Sequence, residues 1–311
     1  MPAPQRPADW RRILLVDAAI ESGLLARFAE PTTPEDAARE AGLDPRASRI
    51  VATALRDAGY LTGEGALQLS PAGAALVVPG DDDPAAFIAL EARAMRSHLG
   101  LAQTLRTGLP QDDVSAGDRA TRERFMRAMR QIAAPRAATT AGAMGTPAAG
   151  ARLLDVGGAP GTYARAFAAA GWEVTVLDLP ATLESGEPWL REAGVATVAG
   201  DATRELPAGP WDAVYLGNVL HLFAPAEAAS MVRRAGETLV PGGLLAVQEV
   251  LGDLSPQGPG FGVGMLLTTD GGDAYPEADH RAWMEAAGCP VEEAVSLEQA
   301  QHHLLIGRRA R

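Results

Sequence analysis

The sequence predicts an α/β protein with a helical N-terminal half and a parallel sheet in the C-terminal half. Two patterns predict this. Helix signals and one hairpin signal fill the first eighty residues, and from residue 152 onward short apolar strands alternate with helices. Such alternation favours a doubly wound parallel sheet covered on both faces. We divide the chain into an N-terminal module (1–83), a helical linker (84–147) and a sheet domain (148–311).

Three helices open the N-terminal module. Apolar residues at helical spacing predict the first over 11–28. The second helix is predicted to begin after its cap, Thr33, and to end at Gly42, and the third to begin after Asp44 and to end at Gly59. Threonine and aspartate side chains accept hydrogen bonds from the first turn of a helix, and glycine readily ends one.

A short β-hairpin follows these helices. Segments 60–62 and 67–70 flank the turn Gly63-Glu64-Gly65, and Ser70-Pro71 begins one more helix. Three helices and a hairpin are typical of a winged helix, a module that often binds DNA. The third helix carries three arginines against two aspartates, which is few cations for phosphate contacts. We therefore interpret the module as structural and dimerising, with a DNA-binding regulator as the alternative.

Composition limits the partners of this chain. Its net charge is −12, and all 27 basic residues are arginine. Nucleic-acid binding depends on cations that neutralise phosphates, so we expect no nucleic-acid partner. No segment is long and apolar enough to span a bilayer, and Met1 to Trp10 lacks the apolar core of a signal peptide. With a single cysteine, Cys289, the chain is expected to be cytoplasmic and without a membrane partner.

The linker and the sheet domain have distinct patterns. Residues 80–84 are polar and contain proline, and helices are predicted over 85–105 and 119–143, around a polar turn at 108–117. Strands are predicted over 152–156, 173–177, 196–199, 211–216 and 244–250, with helices over 162–170, 188–193 and 225–239.

A glycine-rich turn follows the first strand of the sheet. Asp155 ends that strand, and Gly157, Gly158 and Gly161 lie in the turn, where a ligand can approach the backbone. Ala159 stands where the dinucleotide fingerprint needs its second glycine, so a nicotinamide dinucleotide is the weaker interpretation.

Polar residues follow the next three strands. Asp178 ends the second, where a carboxylate can accept both hydroxyls of a ribose. Asp201 follows the third, where it can accept from an adenine amino group, and Asn218 and His221 follow the fourth. The carboxyl ends of parallel strands share one sheet edge, so a single nucleoside can contact these residues.

The motifs together resemble those of the small-molecule O-methyltransferases of the caffeic acid and acetylserotonin type. The resemblance covers nearly the whole chain, with matching stretches at Phe125 to Met129, Leu153 to Gly161, Asp178 to Pro180, Gly200-Asp201, Val219 to His221 and Pro241 to Gly243. It implies S-adenosylmethionine as the cofactor, with Leu179 and Ala202 among its contacts. It also implies a Rossmann-like methyltransferase sheet that ends in an antiparallel hairpin (291–295 and 303–308), and an intertwined homodimer built by the winged-helix half.

The resemblance also implies the catalytic residues. His221 matches the family's general base, and imidazole is suited to take a proton from an attacking hydroxyl. Glu249 matches a carboxylate that orients the histidine. Asp273 stands one residue before the position of a second such carboxylate.

For the acceptor, the resemblance implies a pocket for an aromatic ring. Met129 and Met265 match methionines that sandwich the ring, a use that suits polarizable thioethers. Phe125 belongs to the same motif as Met129, and His98 lies on a helix that the family places near the acceptor. We expect a small aromatic secondary metabolite as acceptor. We expect no metal, since the other histidines lack metal-ligand spacing.

One further alternative arises on the same scaffold. Leu222 replaces an acidic residue common in plant relatives, and Ala274 replaces the second orienting carboxylate. Some relatives that keep the cofactor pocket carry out hydroxylation, decarboxylation or pericyclic chemistry. A non-methylating reaction of this kind is therefore the second hypothesis.

Overall fold

The computed structural model describes residues 10–78, 83–112, 118–299 and 301–311. Residue contacts divide them into two compact units, and the boundary along the chain falls between Arg96 and Ser97. Most of the predicted polar linker, 80–82, and the end of the predicted polar turn, 113–117, lie outside the described residues.

The first unit contains the predicted helices and hairpin. Its elements are α1 (Trp10–Glu21), a 3₁₀ helix (Leu25–Ala29), α2 (Pro34–Ala41), α3 (Pro45–Asp57), β1 (Leu61–Thr62), antiparallel β2 (Gln68–Leu69), α4 (Pro71–Ala74) and most of α5 (Pro84–His98). The predicted caps are confirmed, because Thr33 accepts from the N–H of Asp36 and Asp44 from that of Ala47. The single helix predicted over 11–28 was wrong in extent, since Gly23 has φ +72° and interrupts it.

Three helices begin the second unit or lead into it. α6 (Leu101–Thr107) follows α5, and α7 spans Arg119–Ala143, as the sequence predicted. Asp118 caps α7 by accepting from the N–H of Thr121. The single helix predicted over 85–105 is broken at Gly100. A Cβ there would lie 2.3 Å from Oε1 of Gln111, so the side chain of Gln111 occupies the space beside the break.

A seven-stranded sheet forms the body of the second unit. Its strands are β3 (Arg152–Val156), β4 (Glu173–Asp178), β5 (Ala196–Ala199), β6 (Trp211–Gly217), β7 (Leu239–Glu249), β8 (Val291–Leu297) and β9 (His302–Arg308). The spatial order is β5-β4-β3-β6-β7-β9-β8, with β3 to β7 parallel and β9 antiparallel to both of its neighbours. The predicted fold class, including the antiparallel final hairpin, is confirmed.

Helices connect and cover the strands. They are α8 (Thr162–Ala169), α9 (Pro180–Ala193), α10 (Pro225–Thr238), α11 (Gly258–Thr268) and α12 (Glu277–Ala286). The helix predicted over 188–193 was wrong in its start, because Pro180 occupies its first turn and Pro188 lies inside it. Neither α11 nor α12 was predicted from the sequence pattern. No described helix is long and apolar enough to cross a membrane.

The hydrophobic core lies on both faces of the sheet. Leu153 and Leu154 are neighbours on β3 but belong to separate core clusters, because successive side chains of a strand point to opposite faces. One cluster includes Met231 of α10, and the other includes Phe167 of α8. With both faces covered, the carboxyl edge of the sheet is where a ligand can reach the strand ends.

Candidate active site

The turn after β3 adopts backbone conformations that favour glycine. Gly157 has φ +70° and Gly161 has φ +90°, in the left-handed region where a Cβ is unfavourable. The N–H of Gly157 donates to the carbonyl of Leu177 on β4 at 2.8 Å. A Cβ on Gly157 would also lie 3.2 Å from Cγ2 of Val219, which follows β6. The turn therefore lies close to the ends of two neighbouring strands.

Asp155 lies against this turn as a buried carboxyl group. Its carboxyl carbon would be 2.4 Å from a Cβ on Gly158, so a side chain at that position would displace the carboxyl group. Its Oδ2 has no hydrogen-bond partner among the described residues. Burial, together with the nearby carboxylate of Asp178, raises the pKa of Asp155 to about 8.

Asp178, at the end of β4, bonds to the same turn. Its Oδ2 accepts from the N–H of Ala159 at 3.1 Å, and its Oδ1 accepts from the N–H of Leu179 at 2.8 Å. Burial raises the pKa of Asp178 to about 6, although these two hydrogen bonds act in the opposite direction. Each carboxylate oxygen has two lone pairs, so the group retains capacity to accept from a ligand.

The turn after β5 contains Asp201 and Ala202. Oδ1 of Asp201 accepts from the hydroxyl of Thr203 at 2.6 Å and from its N–H at 2.9 Å, and these bonds lower the pKa of Asp201, the hydroxyl bond most strongly. The carbonyl of Ala202 accepts from Arg234 of α10 at 2.9 Å. This turn is therefore held next to the end of β4, where Asp178 lies.

The segment after β6 carries the predicted base. Asn218 has φ +56°, a conformation that asparagine tolerates, and its N–H donates to the carbonyl of Gln248 on β7. A short 3₁₀ turn, Leu220–Leu222, then places the ring of His221, which is 9% exposed. Oε2 of Glu249 lies 2.6 Å from Nδ1 of this ring.

Glu249 holds the backbone of this segment as well as the ring. Its Oε1 accepts from the N–H groups of Val219 at 3.0 Å and Leu220 at 2.8 Å. Burial opposes ionisation of Glu249, but His221, His280 and the hydrogen bond from Leu220 outweigh it and hold the pKa of the carboxyl below its usual value. The carboxylate is therefore ionised at neutral pH.

This charge state determines the tautomer of His221. An ionised carboxylate can only accept, so in the neutral imidazole of His221 the proton is on Nδ1 and Nε2 has a free lone pair. In the part of the chain that the structure describes, no hydrogen bond uses Nε2. The pair of His221 and Glu249 thus has the arrangement of an oriented general base.

Two further segments pack against the histidine. The ring of Phe261, on α11, meets the ring of His221 edge-on, with centroids 4.9 Å apart. A Cβ on Gly272 would lie 2.1 Å from the carbonyl oxygen of His221, so glycine is required for this close approach. The hydroxyl of Tyr275 donates to the carbonyl of Phe223 at 2.5 Å, which ties the same segment to the 3₁₀ turn.

Among the described residues, no hydrogen bond joins Asp273 to His221. Its Oδ1 accepts from the N–H of Ala274 at 2.7 Å and lies 2.7 Å from where a Cβ on Gly262 of α11 would be. Its role as a second orienting carboxylate stays a prediction.

The predicted acceptor residues lie on three helices. Phe125 and Met129 are half-buried, four residues apart on one face of α7. Met265 is half-buried on α11, four residues after Phe261, and therefore lies on the helix face that meets His221. His98 is the exposed last residue of α5. Contact of these residues with an acceptor stays a prediction.

Sequence reasoning missed Phe261 and Tyr215 as residues of this region. Phe261 lies in a glycine-rich segment. The only signals of a helix there are Pro259 near the start of the segment and an apolar run at its end, so the helix was not predicted. Tyr215 lies in an apolar strand, where a tyrosine is usually part of the core. Its hydroxyl is nevertheless buried without a partner among the described residues.

No group of three or more histidine, cysteine, aspartate or glutamate residues within 10–78, 83–112, 118–299 and 301–311 is arranged to hold a metal ion. The expectation that the reaction needs no metal stays a prediction.

Comparisons with known proteins agree on one family and one fold. A family model described as an O-methyltransferase domain matches residues 106–290. Mouse acetylserotonin O-methyltransferase is 34% identical over 152 residues, in a match that covers 44% of this chain and 38% of the mouse enzyme. The chain thus spans about two fifths of the length of that curated relative.

Solved structures match over nearly the whole chain. An O-methyltransferase family protein from Burkholderia thailandensis superposes with a TM-score of 0.83 at 22% identity, over 97% of this chain and 95% of that one. An O-methyltransferase from neocarzinostatin biosynthesis, solved with S-adenosylmethionine and 2-hydroxy-5-methyl naphthoic acid, has a TM-score of 0.78 at 21% identity, over 99% and 100% of the two chains.

Proposed function

We propose that this chain, which belongs to the O-methyltransferase domain family, transfers a methyl group from S-adenosylmethionine to a hydroxyl of a small aromatic molecule, with His221 as the general base. Family membership rests on the match over residues 106–290, more than half of the chain. The observation that carries the proposal is the buried pair of His221 and Glu249 at the same sheet edge as the glycine turn.

The residues at this edge fit S-adenosylmethionine. Asp178 retains acceptor capacity for the ribose hydroxyls, and Asp201 follows the neighbouring strand, where it can accept from the adenine amino group. Gly157, without a side chain, leaves room for the ligand to approach the backbone. When bound, this cofactor supplies an electrophilic methyl group on a positively charged sulfur.

His221 and Glu249 supply the acid–base part of the reaction. With the methyl donor bound, Nε2 of His221 would accept the proton of the acceptor hydroxyl as the hydroxyl oxygen bonds to the methyl carbon. The bond between that carbon and sulfur would break, with its electron pair left on a neutral sulfur. Glu249 stabilises the imidazolium that results, since it is ionised and 2.6 Å from Nδ1. General-base assistance of this kind contributes roughly 10²–10⁴-fold to a rate, and the alignment of the reactants contributes further.

An aromatic acceptor is supported by the side chains next to the base. Phe261 contacts His221, and Met265 lies on the same face of α11, so a planar ring would meet an aromatic edge and a polarizable sulfur. The neocarzinostatin enzyme, which shares this fold, was solved with a naphthoic acid.

Dimerisation and location are parts of the same proposal. We expect a homodimer in the cytoplasm, with the winged-helix module as a dimer element. On α3, the helix whose arginines would contact DNA in the alternative hypothesis, Arg49 lies 3.8 Å from Glu35. This pairing offsets part of the positive charge that phosphate contacts need, which is evidence against the DNA-binding alternative.

The test uses a radiolabelled methyl donor and a panel of phenols and hydroxynaphthoic acids. We expect label in at least one product, and we expect His221→Ala to reduce turnover about 100-fold or more with nearly unchanged cofactor affinity. Added imidazole should restore part of the lost rate, because a small base can occupy the space left by the ring. A titration with NAD serves as the control for the competing cofactor.

Two results would count against the proposal. A wild-type rate for His221→Ala would make the histidine structural. Tight binding of the cofactor without a labelled product from any acceptor would favour the non-methylating hypothesis.

A further inference from the structure

The 3₁₀ turn that carries the proposed base, Leu220–Leu222, is held at both of its ends. At its start, Oε1 of Glu249 accepts from two successive backbone N–H groups. At its end, the carbonyl of Phe223 accepts from the hydroxyl of Tyr275 at 2.5 Å. Tyr275 therefore holds the end of the turn opposite to the one that Glu249 holds.

The backbone of Tyr275 reaches the segment that follows Glu249. Its carbonyl accepts from the N–H of Gly252, three residues after Glu249, at 3.0 Å. A Cβ on Gly252 would lie 2.2 Å from the carbonyl oxygen of Ala274, so the two segments are in close contact. Tyr275 thus bonds to the segment after Glu249 through its carbonyl and to the turn that carries His221 through its hydroxyl. It connects the two chain segments that carry the proposed catalytic pair.

Packing fixes the phenol of Tyr275 in place. The residue is 6% exposed, and its ring meets the rings of Trp283 and His280 on α12 edge-on, with centroids 5.0 Å and 6.3 Å away. Burial, together with nearby carboxylates of which Asp273 acts most strongly, raises the pKa of Tyr275 to about 12. The phenol therefore keeps its proton at neutral pH and can donate it to the carbonyl of Phe223.

The residue before Tyr275 differs from what the sequence resemblance implies. Ala274 stands where a second orienting carboxylate is expected. The neighbouring Asp273 uses Oδ1 to accept from the N–H of Ala274. In the part of the chain that the structure describes, the carboxylate bonded to the ring of His221 is that of Glu249. The rest of the orientation of the ring must come from the backbone that carries it.

We propose that Tyr275 is a positioning residue for His221 and acts through the carbonyl of Phe223. The proposal rests on the proposed function, because a general base depends on the orientation of its ring. Phe223 follows His221 by two residues, so the hydroxyl of Tyr275 restricts movement of the turn that would carry the ring away from Glu249. A misplacement of about 1 Å can cost about 100-fold in rate, so this restriction matters for turnover.

The first experiment removes the hydroxyl of Tyr275 and keeps its ring, in Tyr275→Phe. We expect kcat for methyl transfer to fall about 10-fold or more, while the KM of the acceptor and the affinity for S-adenosylhomocysteine stay within about twofold of wild type. Tyr60→Phe is the matched control, because it removes a hydroxyl of the first unit that accepts from Arg12 at 3.2 Å. It should leave kcat unchanged. Urea unfolding identifies a temperature at which both variants are fully folded.

Proton NMR gives a second readout, which needs neither cofactor nor acceptor. The proton between Nδ1 of His221 and Oε2 of Glu249 should give a low-field resonance that is missing from His221→Ala. In Tyr275→Phe this resonance should move upfield and exchange faster with water, because the two groups are held less firmly together. In Tyr60→Phe it should stay as in wild type.

A wild-type kcat or an unchanged resonance in Tyr275→Phe would overturn the proposal and leave Tyr275 with a role in stability alone. A raised KM at wild-type kcat would also overturn it, since Tyr275 would then act in acceptor binding. If the wild type methylates no acceptor, the proposed function fails, and the resonance in Tyr275→Phe still decides whether Tyr275 positions His221.

Discussion

Glu249→Gln is the substitution that separates the structural role of this residue from its chemical role. The carboxylate has two duties. One oxygen accepts from the N–H groups of Val219 and Leu220, and the other accepts from Nδ1 of His221. A glutamine of the same shape keeps an oxygen for the two backbone donors, while its NH₂ group faces the imidazole. Nδ1 must then accept, which moves the ring proton to Nε2.

The structure sets the expected magnitudes. With the proton on Nε2, His221 cannot take a proton from the acceptor, so kcat should fall on the order of 10²–10⁴-fold. The free energy of unfolding should change little, because the backbone donors keep their acceptor. Glu249→Ala removes it, and two buried N–H groups without partners should cost about 2–6 kcal/mol, at roughly 1–3 kcal/mol each.

The assay combines single-turnover methyl transfer with urea unfolding, and Glu237→Gln serves as the control. Glu237 is an exposed glutamate paired with Arg233, so its substitution should change neither measurement appreciably. The reasoning is refuted if Glu249→Gln retains a wild-type single-turnover rate, or if it loses as much stability as Glu249→Ala.

Two further predictions concern the glycine turn. Because the pKa of Asp155 rises from 3.8 to about 8 on folding, the folded state holds this proton more tightly than the unfolded state. The free energy of unfolding of the cofactor-free protein should therefore fall by up to roughly 5 kcal/mol as pH rises from 4 to 8. Urea unfolding should show that Asp155→Asn raises the free energy of unfolding more at pH 8 than at pH 5. A gain that is the same at both pH values would contradict the assigned pKa. Gly158→Ala should abolish measurable nucleoside binding and destabilise by about 1–3 kcal/mol, since its Cβ overlaps the carboxyl of Asp155. Gly142→Ala is the control, because a Cβ at this position of α7 meets no atom within 4 Å. It should leave nucleoside binding intact and stabilise the protein by about 0.5–1 kcal/mol. Equal effects of Gly158→Ala and Gly142→Ala would argue against the steric explanation.

Local signals in the sequence were sufficient for most elements of the fold. Thr33 and Asp44 cap helices because a short side chain at that position can bond the first turn regardless of what packs around it. The strand starts at Arg152, Glu173 and Ala196 follow from short apolar runs, which buried parallel strands require. The family was predicted from motifs at four strand ends and is confirmed by the match over residues 106–290.

The elements that sequence reasoning missed depend on distant contacts. The break at Gly100 coincides with the position of the Gln111 side chain. α11 carries four glycines, which weaken its helix signal, and it packs where Gly258 and Gly262 allow close approach to Gly252 and Asp273. Helix propensity summed over a short stretch of sequence does not include packing against residues that are distant along the chain.

For the candidate site, the sequence by itself determined which residues stand at the strand ends, because the order of strands and glycines is local. Tertiary structure decided their chemical states. The carboxyls of Asp155 and Glu249 are both buried, yet the pKa of Asp155 is raised and that of Glu249 is lowered. The difference arises because His221 and two backbone N–H groups reach Glu249, whereas Oδ2 of Asp155 meets no donor among the described residues. Those partners come from other strands and turns, so only the folded chain brings them together.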